Sequence, residues 1–310
     1  MRPVRPPRGL VVFAWHNVGP TWFSPLPRRV TVRGLVRQLR AVAATFHVLP
    51  LTDALDRLDG GRPLPRRAAA LTFDDGYRDN LEVAAPLLER FRLPATFFLV
   101  PALLDGGRAW WEVVAWAFAR STRLELEWDG QRRQLDGPAR RSALAESACE
   151  GLKGIDHAAR LAAIDELTAR LAPRGTHGDG LFLDWDGARR LARRPGAEIG
   201  SHSRDHVILS RETGPAQTAD LTSARRTLQR ELDVPALALA YPNGTSVDYD
   251  ERTMAAAREA GHRWALTART GVNRPDTPPY ELRRAMLAPA DGVHGLLRPW
   301  PLRRWRRHLS

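Results

Sequence analysis

The stretch AAALTF at residues 68–73, followed directly by Asp74, Asp75 and Gly76, decides how this chain folds. A short apolar run of this length predicts a buried strand, and the glycine behind two acids predicts a turn at its end. Neighbouring strand residues face opposite sides of a sheet, but in a glycine-assisted turn both carboxylates can face one site. Two acids this close are costly unless a cation neutralises one of them. A solvated Asp-Asp-Gly turn is the alternative interpretation.

Apolar runs and amphipathic helices alternate on both sides of this strand. The other predicted strands are residues 10–15, 95–100, 197–200, 236–241, 263–268 and 280–287. The predicted helices are residues 32–46, 81–92, 185–194, 215–232 and 249–260. This alternation is typical of an α/β fold with a parallel sheet and covering helices. Since the polar motifs come directly after strands, we expect closure into a (β/α) barrel, where the C-terminal strand ends carry the chemistry.

The interval 105–184 breaks this rhythm. It holds three tryptophans between residues 110 and 116, then one short β-like patch at residues 124–128. The rest is rich in alanine, leucine and arginine, which favour helices. We therefore predict one barrel domain over residues 1–287, with residues 105–184 as a mostly helical insertion.

A second polar motif, Gly-Ser-His-Ser-Arg-Asp-His at residues 200–206, follows another predicted strand. Two histidines four residues apart, His202 and His206, lie on one face if the turn is helical, which suits metal binding. The zinc-protease pattern HExxH is excluded, because Ser203 stands in the place of the glutamate. One carboxylate and two imidazoles make a three-ligand site with positions open for water and substrate, and the remaining aspartate is then the natural general base. Two unrelated loop histidines are the alternative.

Together, TFDDG at residues 72–76 and HSRDH at residues 202–206 resemble the first motifs of the polysaccharide deacetylases, carbohydrate esterase family 4. The resemblance runs from about Leu10 to Leu287, interrupted by the insertion. It implies a distorted (β/α) barrel that removes N-acyl groups from amino sugars in polymers or oligosaccharides.

The resemblance also implies roles for individual residues. It makes Asp74 the catalytic base and makes Asp75, His202 and His206 the ligands of a divalent metal, usually zinc. Nitrogen and oxygen donors of this kind also accept cobalt, nickel or manganese.

The segment Ala240-Tyr241-Pro242-Asn243-Gly244 lies where the family often has Arg-x-Pro-Tyr-Gly. The resemblance places Asn243 on the residue whose backbone N–H helps to bind the oxyanion, with Tyr241 in the same substrate-binding segment. Ala240 replaces the arginine that commonly holds the catalytic base.

The segment Leu282-Arg283-Arg284 stands where many members have Leu-x-His, with the histidine as general acid. Arginine cannot donate a proton at neutral pH, so either Arg284 does the work of the missing arginine or the acid lies elsewhere. His16 is the candidate acid, because Ala14-Trp15-His16 closes the first strand and resembles the Tyr-His pair of exopolysaccharide-modifying members. A satisfied polar residue at a strand end is the alternative for His16.

The net charge of +12 is that of many nucleic-acid-binding proteins, but Lys153 is the only lysine. We ascribe the abundant arginine and alanine to a GC-rich genome, and we do not expect a nucleic-acid partner. Cys149 is the only cysteine, which excludes a disulfide or a thiolate metal cluster within one chain. It lies in a helix-like stretch, residues 141–152, and is predicted to be buried filler rather than a nucleophile.

No window of the sequence approaches the roughly 20 consecutive apolar residues of a membrane-spanning helix. The basic N-terminus is followed by an apolar run of only residues 10–15, shorter than the h-region of about 7–15 residues in a secretory signal. We therefore expect an uncleaved, cytoplasmic protein.

Residues 288–310 form a basic tail rich in arginine and tryptophan. Within RPWPLRRWRRHLS at residues 298–310, Leu302, Trp305 and Leu309 recur at helical spacing. A short basic helix with interleaved tryptophans suits an anionic membrane surface, which would make the protein membrane-peripheral. Tryptophans packed on the barrel are one alternative, and a nucleic-acid arm is the least favoured.

The leading functional hypothesis is a metal-dependent hydrolase that removes N-acyl groups from an N-acetylated glycan, either a poly- or oligosaccharide or a lipid-linked precursor. The same barrel would also support hydrolysis of a small non-sugar amide or imide. A glycan-binding module that has lost turnover is the third hypothesis, favoured by the missing motif histidine and arginine and opposed by the intact Asp74, Asp75, His202 and His206.

Overall fold

The computed structural model describes residues 9–23, 30–128, 130–178 and 180–287, which contain ten strands and ten α-helices. The strands are β1 (Leu10–Trp15), β2 (His47–Val48), β3 (Ala68–Phe73), β4 (Ala95–Leu99), β5 (Glu125–Trp128), β6 (Gln131–Gln134), β7 (Ala197–Ser201), β8 (Ala238–Ala240), β9 (Trp264–Leu266) and β10 (Ala285–Met286). The helices are α1 (Val32–Thr45), α2 (Leu51–Asp59), α3 (Ala85–Phe91), α4 (Pro101–Leu104), α5 (Trp110–Arg120), α6 (Pro138–Leu152), α7 (His157–Leu171), α8 (Trp185–Ala192), α9 (Gly214–Leu232) and α10 (Glu251–Glu259).

Eight strands form one curled parallel sheet in the order β10-β1-β3-β4-β7-β8-β9, with β2 paired to the start of β3. One chain segment contacts both edges of this sheet. Leu282 bridges to Leu266 of β9, and Ala285 pairs with Phe13 of β1. The helices surround the sheet, so the predicted (β/α) barrel is confirmed.

The wholly buried strand β1 shows why this sequence forms a two-layered barrel. Val11 and Phe13 pack in the cluster that contains Leu35, Leu39 and other residues of the surrounding helices. Leu10 and Val12 belong to a different cluster, formed largely by residues of the sheet. Because successive strand residues point to opposite faces, a continuous apolar run satisfies both layers.

The helix predicted over residues 81–92 is interrupted at its start. Residues Asn80–Ala84 form a π-helical turn, and α3 begins only at Ala85. Pro86 explains the difference, because proline lacks an N–H and clashes with the carbonyl four residues before it, which widens the preceding turn. The short helix α2 was not predicted.

Helices α5, α6 and α7 of the insertion pack in a second hydrophobic cluster, which also includes Tyr77, Val100 and Leu103 from outside residues 105–184. The predicted β-like patch is half of an antiparallel hairpin, since β5 pairs with β6 from Trp128↔Gln131 to Glu125↔Gln134. The sequence of β6, Gln-Arg-Arg-Gln, has no apolar alternation and gave no strand signal. Cys149 is buried in α6 as predicted, and burial raises the pKa of its thiol to about 12, so it stays neutral.

Within the described ranges, no helix combines the length and the apolar character needed to cross a membrane. The predicted basic tail, residues 288–310, lies outside the described residues, so its membrane helix stays a prediction.

Candidate active site

The acidic turn at the end of β3 brings both carboxylates into one buried site. The backbone N–H of Asp74 donates to the carbonyl of Trp15 at 2.9 Å, which continues the β1–β3 pairing into the turn. Asp75 and Gly76 then adopt left-handed backbone with φ of 72° and 75°. A Cβ at Gly76 would lie 3.0 Å from Leu99 Cδ2. The left-handed turn overrides strand alternation and lets neighbouring side chains face the same centre.

His202 follows β7 and is held by the barrel backbone. Its backbone N–H donates to the Leu99 carbonyl at 2.9 Å, and its ring Nδ1 lies 2.7 Å from the Ala240 carbonyl oxygen. A carbonyl only accepts, so Nδ1 carries the proton and Nε2 keeps its lone pair for a ligand role.

His206 faces the same centre through a loop. The segment 202–206 is not helical, and Ser203 and His206 have left-handed φ of 63° and 50°. The predicted shared face therefore exists, but it arises from two left-handed residues rather than from a helical turn. Such backbone at non-glycine residues is strained and is concentrated at functional sites. The two imidazole centroids lie 4.9 Å apart.

Asp75, His202 and His206 offer one ligand atom each, all within 4.8 Å of one another. Asp75 Oδ1 lies 3.4 Å from Nε2 of both histidines. This buried oxygen has no hydrogen-bond partner among the described residues, which is costly for a carboxylate unless a cation completes it. One oxygen and two nitrogen donors with open positions fit a divalent metal such as zinc.

The electrostatics of this triad favour a cation. Burial raises the pKa of Asp75, but the facing imidazoles of His202 and His206 outweigh it, so the pKa lies well below its usual range. Burial lowers the pKa of His202, yet the two aspartates raise it overall. The negative charge that attracts a proton to His202 would equally attract a metal ion.

Asp74 is paired with a second buried charge. Arg284 Nη1 donates to Asp74 Oδ1 at 2.7 Å, and only 1% of the Arg284 side chain is exposed. The Nε–H of Arg284 donates to the Thr267 carbonyl at 3.1 Å, which fixes the guanidinium. Burial raises the pKa of Asp74, but Arg284, followed by His202 and His16, lowers it overall. Asp74 is therefore held ionised, and its Oδ2 lies 4.0 Å from His202 Nε2.

This geometry supports the explanation that Arg284 does the work of the missing arginine. The guanidinium reaches Asp74 from residue 284, whereas the family pattern would place it at residue 240, which is alanine here.

Asn243 and Tyr241 follow β8 and line a cavity that the two aspartates and the two histidines also line. Asn243 has left-handed backbone with φ of 56°, and its buried Nδ2 has no partner among the described residues. The Tyr241 hydroxyl donates to the Tyr280 carbonyl at 3.1 Å, and its ring stacks on Tyr249 at 4.8 Å. That hydroxyl is already engaged, so a contact of Tyr241 with substrate stays a prediction.

His16 lies exposed at the end of β1 and lines the cavity. Its carbonyl accepts a hydrogen bond from Asn80 Nδ2 at 2.8 Å, and its imidazole contributes to lowering the pKa of Asp74 and Asp75. The structure thus brings His16 to the site, and its role as general acid stays a prediction.

The insertion contributes residues to the site that were not predicted from the sequence. The Trp111 ring lies 4.4 Å from the ring of His206. Its indole N–H donates to the Tyr77 hydroxyl at 3.0 Å, which donates to Glu112 Oε1 at 2.9 Å. The only signal in the sequence was the tryptophan density of this segment.

The cavity that these residues line, called here the active-site cavity, has a volume of about 490 Å³. Its barrel side includes His16, Asp74, Asp75, His202, His206, Asn243 and Arg284, and its insertion side includes Trp110, Trp111, Cys149 and Lys153. The insertion therefore forms one wall of the site.

Fold and site together define a deacetylase-type (β/α) barrel with a candidate metal centre at the C-terminal ends of its strands. The chain belongs to the polysaccharide deacetylase family, whose model matches residues 61–126 and 136–265, more than half of its length. The gap between the two matched segments falls on the β5–β6 hairpin of the insertion.

Individual relatives agree with this assignment. Poly-beta-1,6-N-acetyl-D-glucosamine N-deacetylase of Escherichia coli K12 is 30% identical over 101 residues, 32% of this chain but only 15% of that protein. The polysaccharide deacetylase-like protein YxkH of Bacillus subtilis is 20% identical over 223 residues, 72% of this chain and 52% of that protein. The chain thus spans about half or less of these curated relatives.

Solved structures share the fold. The Streptococcus pyogenes deacetylase PplD, in complex with acetate, aligns with a TM-score of 0.65 and 16% identity over 95% of this chain and 99% of that one. IcaB from Ammonifex degensii aligns with a TM-score of 0.60 and 18% identity over 95% and 97% of the two chains.

Proposed function

We propose that this protein is a metal-dependent N-deacetylase that acts on amino sugars of a poly- or oligosaccharide or of a lipid-linked glycan. The observation that carries the proposal is the buried Asp74–Arg284 pair beside the Asp75, His202 and His206 triad. The name of the Escherichia coli relative makes β-1,6-linked N-acetylglucosamine the first polymer to test.

In this proposal Asp75, His202 and His206 hold zinc, with cobalt, nickel or manganese as substitutes. A divalent ion there would polarise the acyl oxygen and lower the pKa of a coordinated water towards about 7. The residues contribute the rest of the chemistry. The hydrogen bond between His202 Nδ1 and the Ala240 carbonyl fixes Nε2 as the nitrogen that faces the proposed metal site.

Asp74 is the general base, and Arg284 positions it. A base must be ionised and aimed at the proton that it removes. Arg284 provides both conditions, since its charge persists at any physiological pH and its bond to Oδ1 leaves Oδ2 on the side of His202. Arg284 therefore replaces the arginine missing at Ala240, which removes one argument for a glycan-binding module without turnover.

The backbone N–H of Asn243 is the proposed oxyanion donor, a contribution worth roughly 3–4 kcal/mol in other hydrolases. His16 is the proposed acid for the leaving amine, supported by its place on the cavity wall. His16→Gln should lower kcat and flatten the alkaline limb of the pH–rate profile, with metal content unchanged. An unaltered profile would return His16 to a structural role.

The deciding experiment measures acetate release from β-1,6- and β-1,4-linked N-acetylglucosamine oligomers, with chelator and after metal is restored. Asp74→Asn should keep its metal and lose more than about 100-fold in rate, because a general base contributes roughly 10²–10⁴-fold. Asp75→Asn should lose metal first. Absence of acetate release from every glycan, or full turnover in metal-free protein, would refute the proposal.

A further inference from the structure

The chain directly after β1 carries His16, but the sheet does not hold it. The pairing of β1 ends where Trp15 faces Phe73 and where the Asp74 N–H donates to the Trp15 carbonyl. In the part of the chain that the structure describes, residues 16–19 make no backbone–backbone hydrogen bond. A fixed position of the His16 backbone must therefore come from side chains.

Two neighbouring side chains of another segment hold this stretch of backbone. The Val18 N–H donates to Asp79 Oδ2 at 2.7 Å, and Asn80 Nδ2 donates to the His16 carbonyl at 2.8 Å. Asn80 Nδ2 also donates to Asp79 Oδ1 at 3.1 Å, which joins the two side chains. We call Asp79 and Asn80 the clamp. It holds the backbone on both sides of Asn17.

The clamp is fixed before any substrate binds. Asn80 is fully buried, and its amide has a single orientation, because the His16 carbonyl can only accept a hydrogen bond. Burial raises the pKa of Asp79 to about 6, against the opposite effect of the hydrogen bonds from Val18 and Asn80. Asp79 is therefore ionised at neutral pH. A hydrogen bond to an ionised acceptor is stronger than one between neutral groups.

The clamp belongs to the same short segment as the proposed base. Asp74 and Asp75 end β3, and Asp79 follows Asp75 by four residues. The π-helical turn Asn80–Ala84 begins within the clamp, and turns of this rare kind are frequent at functional sites. The clamp thus ties His16 to the segment that carries Asp74. It thereby fixes the two groups that are proposed to transfer protons relative to each other.

We propose that Asp79 and Asn80 are positioning residues for the reaction, which act by holding His16 at the active-site cavity. The inference rests on the proposed function and goes beyond it, because neither residue is among the described residues that line the cavity. Placement of a catalytic group matters steeply, since an error of about 1 Å can cost roughly 100-fold in rate. The clamp should therefore affect kcat, whereas KM and metal content should not depend on it.

The main test is a double-mutant cycle between Asn80 and His16, with acetate release from N-acetylglucosamine oligomers as the assay. Asn80→Ala removes the donor to the His16 carbonyl, and we expect kcat to fall about tenfold with KM unchanged. In the His16→Gln background the same substitution should change kcat by less than about twofold, because residues that act as a unit are not additive. Asp79→Asn should have a smaller effect, since the amide keeps one of the two acceptor oxygens.

Gln217 on α9 offers a matched control for the loss of a buried amide. It is also fully buried, and its Nε2 donates to the Glu212 carbonyl at 3.0 Å. Its Oε1, like Asn80 Oδ1, has no hydrogen-bond partner among the described residues. Gln217→Ala should therefore lower the urea midpoint about as much as Asn80→Ala does, and it should leave kcat unchanged.

The NMR resonance of the His16 ring tests the clamp without any turnover. The resonance can be assigned by its absence in His16→Gln. It should move in Asn80→Ala and stay in place in Gln217→Ala. If it moves in this way but wild type releases no acetate, the hold of the clamp on His16 stands and the deacetylase proposal fails. An unmoved resonance, or a tenfold loss of kcat that persists in the His16→Gln background, would overturn the clamp.

Discussion

The two candidate metal-binding imidazoles are held in place by different regions of the molecule. His202 belongs to the barrel, where the Leu99 carbonyl fixes its backbone and the Ala240 carbonyl fixes its ring. The ring of His206 packs against Trp111 of the insertion, and its Nδ1 has no hydrogen-bond partner among the described residues. One ring is oriented by a directional bond and the other by packing.

This difference has a physical consequence. A backbone carbonyl of a parallel sheet cannot be changed by substitution, so the orientation of His202 is fixed with the fold. Packing by Trp111 depends on a side chain that evolution can alter without touching the barrel. Outer contacts of metal ligands tune affinity by about 10–100-fold, so we expect the insertion to set how tightly the metal is held.

Removal of either imidazole should have the largest effect. His202→Ala and His206→Ala should each weaken metal binding by more than about 100-fold, because the loss of a ligand exceeds the loss of an outer contact. Metal content after dialysis, together with titration of zinc into apo-protein, measures the change. Full metal occupancy in either variant would show that the triad is not the metal site.

Substitution of Trp111 should have the next largest effect. Trp111→Leu should weaken zinc binding about tenfold, since His206 loses the surface that orients it. Trp116→Leu is the matched control, because Trp116 is equally buried on the same helix and contacts His177 instead. Equal zinc affinity in the two variants would mean that packing does not orient His206.

A buried carboxylate of the insertion and a half-buried one of the barrel allow a smaller comparison between these two regions. Glu112 holds the chain at Phe23, whereas Glu198 on β7 accepts from the Leu51 N–H and the Thr96 hydroxyl. Glu112→Gln and Glu198→Gln should each lower the free energy of unfolding by about 1–3 kcal/mol, measured in urea. Only Glu112→Gln should raise KM for N-acetylglucosamine oligomers, because Glu112 holds Phe23 at the active-site cavity. An equal rise of KM in Glu198→Gln would show that the insertion has no special role in substrate binding.

The last comparison concerns the pH dependence of stability. Asp220 on α9 accepts hydrogen bonds from the backbone N–H groups of Arg204 and Asp205 at 2.9 and 3.2 Å. These two residues lie in the loop between the two histidines. Burial raises the pKa of Asp220 to about 7. Between about pH 4 and 7 the folded state therefore holds a proton that the unfolded state has released, so stability falls as pH rises through this window.

Asp220→Asn removes that titration. The difference in urea midpoint between variant and wild type should therefore change in favour of the variant from pH 4 to 7 and stay constant above about pH 7.5. A difference that is independent of pH would show that Asp220 titrates in the ordinary carboxylate range.

The sequence alone predicted the elements whose cause is local. The apolar run before Asp74, the turn at Gly76 and the four-residue spacing of His202 and His206 determine where strands end and which groups can converge. The barrel then follows from the alternation of strands and helices. For Arg284 the sequence left two explanations, because an arginine side chain cannot supply the proton that a histidine at this position would donate.

The remaining features depend on contacts between distant segments. No local pattern links Trp111 to His206 or Glu112 to Phe23, because these contacts exist only once the insertion docks on the barrel. The strand β6 was missed because its residues are polar, and hairpin pairing rather than burial explains it. The left-handed backbone at Ser203 could not be predicted from the sequence either, because the surrounding structure imposes it.

The segment from Leu282 to Met286 contacts both edges of the sheet, and it also carries Arg284. During synthesis on the ribosome, the residues of the candidate metal triad emerge well before this segment does. Until it docks, Asp74 lacks its counter-charge and a buried carboxylate would be costly. The same event that completes the barrel therefore also readies the base, so a nascent chain acquires its proposed reactivity only when the fold is complete.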